Sequence, residues 1–215
     1  MTEPEKFKLK DIFWGIIVPL LVGILIIALP TFLGPGAKHL FGEMSPIPII
    51  LTYGFAQMLV LGIPLLLGLG WNKWAGGAAG FVMGSVFYLA SAGLYSLDYN
   101  YYGQPQWNFF RDVSMLGYIV NAILIGYIAG ALSKGSSSFK RMLGASLTAS
   151  LLTGIFQYVL NFTVASEPAR NMTIADPPYS FFLTIVPQIA LAIIVPVIAK
   201  ISYGSEYLPG SRRGY

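Results

Sequence analysis

The chain has no cysteine and a single histidine, His39. The first absence excludes thiolate metal sites, iron–sulfur clusters and disulfides; the second excludes any multi-histidine metal or haem site. Charge is scarce as well. Only 10% of residues are Asp, Glu, Lys or Arg, and none falls in the middle of a long apolar run. Proton pumps and ion-coupled carriers ordinarily need such a group at depth. There is no His-Glu-x-x-His stretch, no serine–histidine pair at depth and no intramembrane carboxylate dyad. An enzyme is therefore not expected, nor is a cofactor.

What the chain does contain is apolar: 55% of residues are hydrophobic and the mean hydropathy is +0.67. That composition does not dissolve as one compact domain and predicts an all-α integral membrane protein. The chain of 215 residues has room for roughly six spans of about 20 residues each. The predicted spans are residues 12–33, 46–69, 75–94, 113–132, 142–164 and 179–201, forming one compact bundle and a single domain. The first run follows Lys6, Lys8 and Lys10 in the manner of a signal peptide. It is long for one, contains Pro19 and Pro30, and ends in Gly34-Pro35-Gly36 instead of a small-x-small cleavage site, so it reads as a retained helix.

A net charge of +4 and a pI near 9.2 fit membrane orientation better than a nucleic-acid partner, and none is expected. Alternating the six spans places Lys6, Lys8, Lys10, Lys73, Lys134, Lys140, Arg141, Lys200, Arg212 and Arg213 on one side. Only Lys38, Arg111 and Arg170 fall on the other. The positive-inside rule then puts both termini in the cytoplasm of a multi-pass cell-membrane protein, with the segment 95–112 outside. Two sequons, Asn161-Phe162-Thr163 and Asn171-Met172-Thr173, lie at or beyond the outer end of the fifth span, and Asn171 is the reachable one.

Within the spans, glycine and amides stand out. Gly76, Gly80 and Gly84 repeat every fourth residue and form one smooth stripe; Gly126 and Gly130 repeat the spacing in the next helix. Such stripes admit another backbone closely, whether from this chain or from a partner, and these five glycines are the candidate partner interface. No Gly-Lys-Ser/Thr ending accompanies them, so a phosphate loop is not supported. Gly144, Ser146, Ser150, Gly154, Gln157 and Asn161 share or adjoin one face of the fifth span, a face suited to protein and not to lipid. Gln57 in the second span suits a helix–helix hydrogen bond or a pocket wall. The sixth span carries Pro187, Gln188 and Pro196.

The segment 95–112 is an aromatic outer loop leading through Arg111 into a helix with Asn121 near its middle. The candidate ligand-binding set is Tyr99, Tyr102, Trp107, Arg111, Asn121, Gln157 and Asn161. Aromatics offer stacking surfaces, and buried amides orient a ligand without charge. The tyrosines also suit an interfacial belt.

Residues 64–134 carry a glycine-rich turn and helix, "GLGWNKWAGGAAGFVMG", an outer Pro105-Gln106-Trp107, and "GYIVNAILIGYIAGALSK" before a short cationic loop. This layout resembles the substrate-binding S components of energy-coupling factor vitamin transporters. The resemblance implies capture of a vitamin-like small molecule from outside, with a transmembrane coupling subunit and ATPases as partners beside the surrounding membrane lipid. In the first span, where that family places small-x-x-x-small alanines, this chain offers Gly15, Gly23 and Ala28. A non-catalytic accessory subunit of a larger membrane complex, such as a respiratory or other oxidoreductase assembly, is the alternative expectation.

Overall fold

The computed structural model describes residues 13, 17, 18, 20–25, 40, 55–99, 113–165 and 176–203. All regular structure among them is helical. Five helices are described in full: α1 (Phe55–Gly70), α2 (Lys73–Tyr99), α3 (Val113–Ser133), α4 (Phe139–Thr163) and α5 (Pro177–Tyr203). By length and composition, Leu116–Ser133 of α3, Phe139–Thr163 of α4 and Ser180–Ser202 of α5 can each cross a membrane. Met58–Gly70 of α1 is a shorter apolar helix.

Helix ends follow local chemistry. Trp71 and Asn72 separate α1 from α2, and the Asn72 side-chain oxygen caps α2 by accepting from Ala75 N at 2.9 Å. Between α3 and α4 the chain reverses through Lys134 (φ 50°) and Gly135 (φ 68°). Arg141 Nε donates to Leu132 O at 3.2 Å and Lys200 Nζ donates to Ser137 O at 2.9 Å, so α4 and α5 both hold this turn.

Several predicted boundaries move. α2 continues through Tyr95 to Tyr99, residues expected in the outer loop, because Leu94–Tyr99 contains neither glycine nor proline to stop it. α4 begins at Phe139, three residues before the expected start, since Phe139, Lys140 and Arg141 are as compatible with helix as the apolar run that follows. Pro177 and Pro178 form the first turn of α5, where a missing N–H leaves no bond unmade. The predicted first span, apart from the few residues given above, lies outside the described residues, as do residues 46–54 of the second.

α1 packs on α2, α3 and α5; α3 packs on α4, and α4 on α5. Thus α1, α3, α4 and α5 form a ring, and α2 lies against its α1–α3 side. The N-terminal segment reaches α2, because a Cβ at Gly23 would stand 3.0 Å from Val86. One apolar cluster joins Leu61, Leu65, Leu69, Met83, Ala122, Ile125, Ala129, Met142, Ala145, Ala149, Val195 and Ala199. Its members come from all five helices, from Leu61, Met83 and Ala122 at mid-bundle to Leu69, Ala129, Met142 and Ala199 near the cationic turn.

The glycine stripes are occupied from within this chain. A Cβ on Gly76 would stand 2.6 Å from Gly126 O and 2.7 Å from Gly68 Cα, and one on Gly80 would run into Ala122 O. At Gly84 it would lie 2.7 Å from Ile119 Cα, at Gly126 2.5 Å from Gly76 O, and at Gly130 2.5 Å from Lys73 Cα. All five candidate interface glycines therefore face this chain's own α1, α2 and α3, and at these points no foreign helix can approach.

Gly80→Leu is expected to force α2 off α3 and destabilise the fold by about 3 kcal/mol or more, at the upper end of overpacking effects. Gly144, with nothing within 4 Å of a built Cβ, is the control. Gly144→Leu should stay within about 0.5 kcal/mol of the parent. Thermal unfolding of both variants in detergent, followed by fluorescence-detected size exclusion, checks the pair; equal behaviour would contradict the packing.

Candidate functional site

Helix α4 is built inside out. Its buried face carries Met142, Ala145, Ser146, Ala149, Ser150, Thr153, Gly154 and Gln157, spaced three and four apart. Its exposed face carries Leu151, Leu152, Ile155, Val159 and Phe162. That is the arrangement of a helix whose apolar side meets lipid and whose polar side meets protein. α5 repeats it, with Gln188 buried and Phe182, Ile193, Val197 and Ile201 exposed. Of the polar face expected on α4, only Gly144 lies on the exposed side, one position off the buried pair Ala145 and Ser146.

Across from α4, α3 presents Gly117 and, one turn on, Asn121. A Cβ at Gly117 would stand 3.3 Å from Gln157 Oε1 and only 2.5 Å from Leu160 Cδ1. The glycine thus makes room for the Gln157 amide. Because α3 and α4 run antiparallel through a short turn, Asn121 falls at the level of Thr153 and Gly154. α5 arrives at that same level: a Cβ at Gly154 would be 3.1 Å from Gln188 Oε1. Gln188 of α5 thus reaches Thr153 and Gly154 of α4, one turn from Gln157, and by the antiparallel register Asn121 of α3 lies near the same level.

Their hydrogen bonding is incomplete. Asn121 is fully buried, and neither its Oδ1 nor its Nδ2 has a partner among the described residues. Gln157 Nε2 donates to Asn161 Oδ1 at 3.0 Å, which leaves Gln157 Oε1 unmet. Thr153 Oγ1 lies 2.8 Å from Ala149 O, 3.2 Å from Ser150 O and 3.1 Å from Gln188 Oε1. A hydroxyl has one proton. Given to Gln188 Oε1, it leaves Gln188 Nε2 unmet; given to Ala149 O, it turns the amide so that NH2 donates to Thr153 and the carbonyl is unmet. One end of this amide is unpaired either way. The hydroxyls of Ser146 and Ser150 are likewise buried without partners.

The predicted ligand set divides. Gln157 and Asn161 are hydrogen-bonded on α4, with Gln157 against Gly117 of α3, one turn from the buried Asn121. Tyr99 ends α2, with its side chain outside the described residues, where Tyr102, Trp107, Arg111 and the acceptor Asn171 also lie; the Gln57 side chain does too. Gln188 was seen in the sequence but not assigned to the site: one amide between two prolines in an apolar helix shows no period that fixes its facing. Thr153 went unnoticed because threonine is common in helices as a back-bonding residue.

Aromatics mark both ends. Trp74, 70% exposed, makes an edge contact with Tyr127 at 5.5 Å, with Lys73 Nζ 5.4 Å from the Trp74 ring. At the opposite end Tyr158 contacts Phe162 and Phe181, and its hydroxyl reaches Pro177 O at 3.5 Å. Side chains of this kind anchor helices at the two interfaces. Among the described residues no group of His, Cys, Asp or Glu could hold a metal ion.

Replacing an unpartnered buried amide by an apolar group of similar size removes a desolvation penalty of about 1–3 kcal/mol. Asn121→Leu is therefore expected to raise the unfolding free energy of the unliganded protein, read as a higher midpoint in a detergent-solubilised thermal melt. A lower midpoint would mean that Asn121 is satisfied in the folded chain.

Set beside known proteins, the chain matches no protein-family model, no curated protein and no solved structure.

Proposed function

We propose that this protein is the substrate-binding subunit of a multisubunit membrane transporter, a bundle of six transmembrane helices with both termini in the cytoplasm that captures a small vitamin-like molecule from outside. The observation that carries this reading is that Asn121, Gln157 and Gln188 are buried and incompletely paired in the interior of a bundle whose outer faces are apolar. Amides kept at a desolvation penalty are retained where a ligand completes them.

The position of the amides supports entry from outside. Lys73, Lys134, Lys140, Arg141 and Lys200 gather at the end of the bundle that carries the α1–α2 and α3–α4 turns, the end assigned to the cytoplasm by positive-inside orientation. Leu69, Ala129, Met142, Ala145 and Ala199 of the apolar cluster lie between that end and the amides. A ligand held at the amides faces a closed interior towards the cytoplasm and needs a conformational change to pass, which a coupling subunit driven by ATPases supplies.

Native mass spectrometry of the chain purified from its membrane tests the reading. A retained small molecule, together with co-purifying ATPase subunits whose ATP hydrolysis depends on this chain, is the expected result. Constant recovery with large redox subunits and no small molecule would replace it with the accessory-subunit role. With the retained molecule in hand, Trp107→Ala and Asn121→Leu should each weaken binding by about 1–3 kcal/mol. For orientation, single cysteines at Gly103 and Ala175 should react with an impermeant thiol reagent in intact cells, while one at Ser137 should not; labelling at Ser137 would invert the topology.

A further inference from the structure

We infer that the ligand enters the amide level with an uncharged edge carrying a hydrogen-bond donor and an acceptor side by side, as in a ring amide, and that Asn121 pairs with that edge. The inference rests on the binding-subunit reading and adds the chemical class.

Two observations carry it. First, the unmet atoms around this level are all neutral: Asn121 Oδ1 and Nδ2, Gln157 Oε1, one end of Gln188 and the Ser150 hydroxyl. No Lys, Arg, Asp, Glu or His lies within α3, or in α4 beyond Arg141, or in α5 before Lys200. Within α3, α4 and α5 a charged group brought to this depth would find no counter-ion, and burial of an unpaired charge is strongly unfavourable. Second, Asn121 is the one amide of the three with both ends free. An asparagine amide with both ends free pairs in bidentate fashion with a matching donor–acceptor edge, the geometry by which asparagine reads adenine. Turning the Asn121 amide over exchanges donor and acceptor without removing either. Gln157 and Gln188 add one further polar atom each from the flanking helices, and the Gly117 gap keeps Gln157 at this level.

Uracil, 1,3-dimethyluracil and orotate are suitable probes for the full-length protein in lipid nanodiscs, with affinity read by saturation-transfer NMR titration. Uracil has neutral ring amides; the dimethyl derivative keeps the ring but loses both N–H donors; orotate keeps the donors and adds a carboxylate. Uracil is expected to bind about tenfold or more tightly than either, the scale of one hydrogen-bond pair or an uncompensated charge. Asn121→Leu should bring uracil down to the level of its dimethyl derivative, while Gly144→Leu leaves it unchanged. The comparison of three probes on the unaltered chain does not depend on any variant folding. No binding of uracil, equal binding of dimethyluracil, or tighter binding of orotate would overturn the inference. A protein that retains some other molecule through purification while ignoring uracil overturns this assignment alone; one that retains nothing and binds none of the three overturns the binding-subunit reading with it.

Discussion

Everything in the bundle depends on the contact in which α2 and α1 lie against α3 with backbone touching backbone. Lipid gives two apolar helices no hydrophobic reason to associate, so close packing of small residues must hold them. Gly68, Gly76, Gly80 and Gly126 provide it, each so near a neighbouring carbonyl or Cα that one methyl group would not fit. With α3 fixed on that side, its opposite side is fixed as well. Ala122 and Gly126 turn towards α1 and α2, and Gly117 and Asn121 therefore turn towards α4. The position of the site is a consequence of packing on the far side of the same helix.

The interior is divided along its length. In the half near the cationic turn, alanines and branched residues fill the space: Ala129, Ala145, Ala149 and Ala199 with Leu65, Leu69, Met142 and Val195, all buried. Further along the helices Asn121, Thr153, Gln157 and Gln188 are buried, while Ser146 and Ser150 carry the polar face back among the alanines. A polar interior without full hydrogen bonding is the costly choice for a membrane bundle, because each unmet atom carries a penalty of about 1–3 kcal/mol. Apolar substitutes would serve the fold better at Asn121. Asn121 is thus a position where residue choice and fold stability diverge.

How far the sequence reveals this differs by residue. The buried face of α4 follows from three- and four-residue spacing, and Ser146, Ser150, Gly154 and Gln157 lie where that spacing puts them. Gly144 does not, because a glycine has no side chain whose polarity marks a face. The stripe Gly76, Gly80 and Gly84 announces a close approach, but periodicity says nothing about which helix approaches; only the folded chain identifies α3. The continuation of α2 through Tyr95–Tyr99 is missed for a different reason. Tyrosine suits an interface, a loop or a helix equally, and the decisive fact is the missing breaker. Gln188 illustrates the hardest case, where pairing with Thr153 depends on the rotation of α5 relative to α4 and no local pattern encodes that rotation.

α5 is also held at the other end of the molecule. Lys200 sits in the last turn of α5, where a cation complements the helix dipole, and it also donates to Ser137 O in the α3–α4 turn. Arg141, in the first turn of α4, donates to Leu132 O at the end of α3. The two cations tie α3, α4 and α5 together at one end by exposed, water-accessible bonds, which are individually weak. The apolar packing above them is tight but non-directional. At this end the polar tie from α5 is the Lys200 bond to Ser137 O, whereas the Arg141 bond to Leu132 O joins α4 to α3. The closest backbone packing lies between α2 and α3, on the far side of the bundle from the α4–α5 contact.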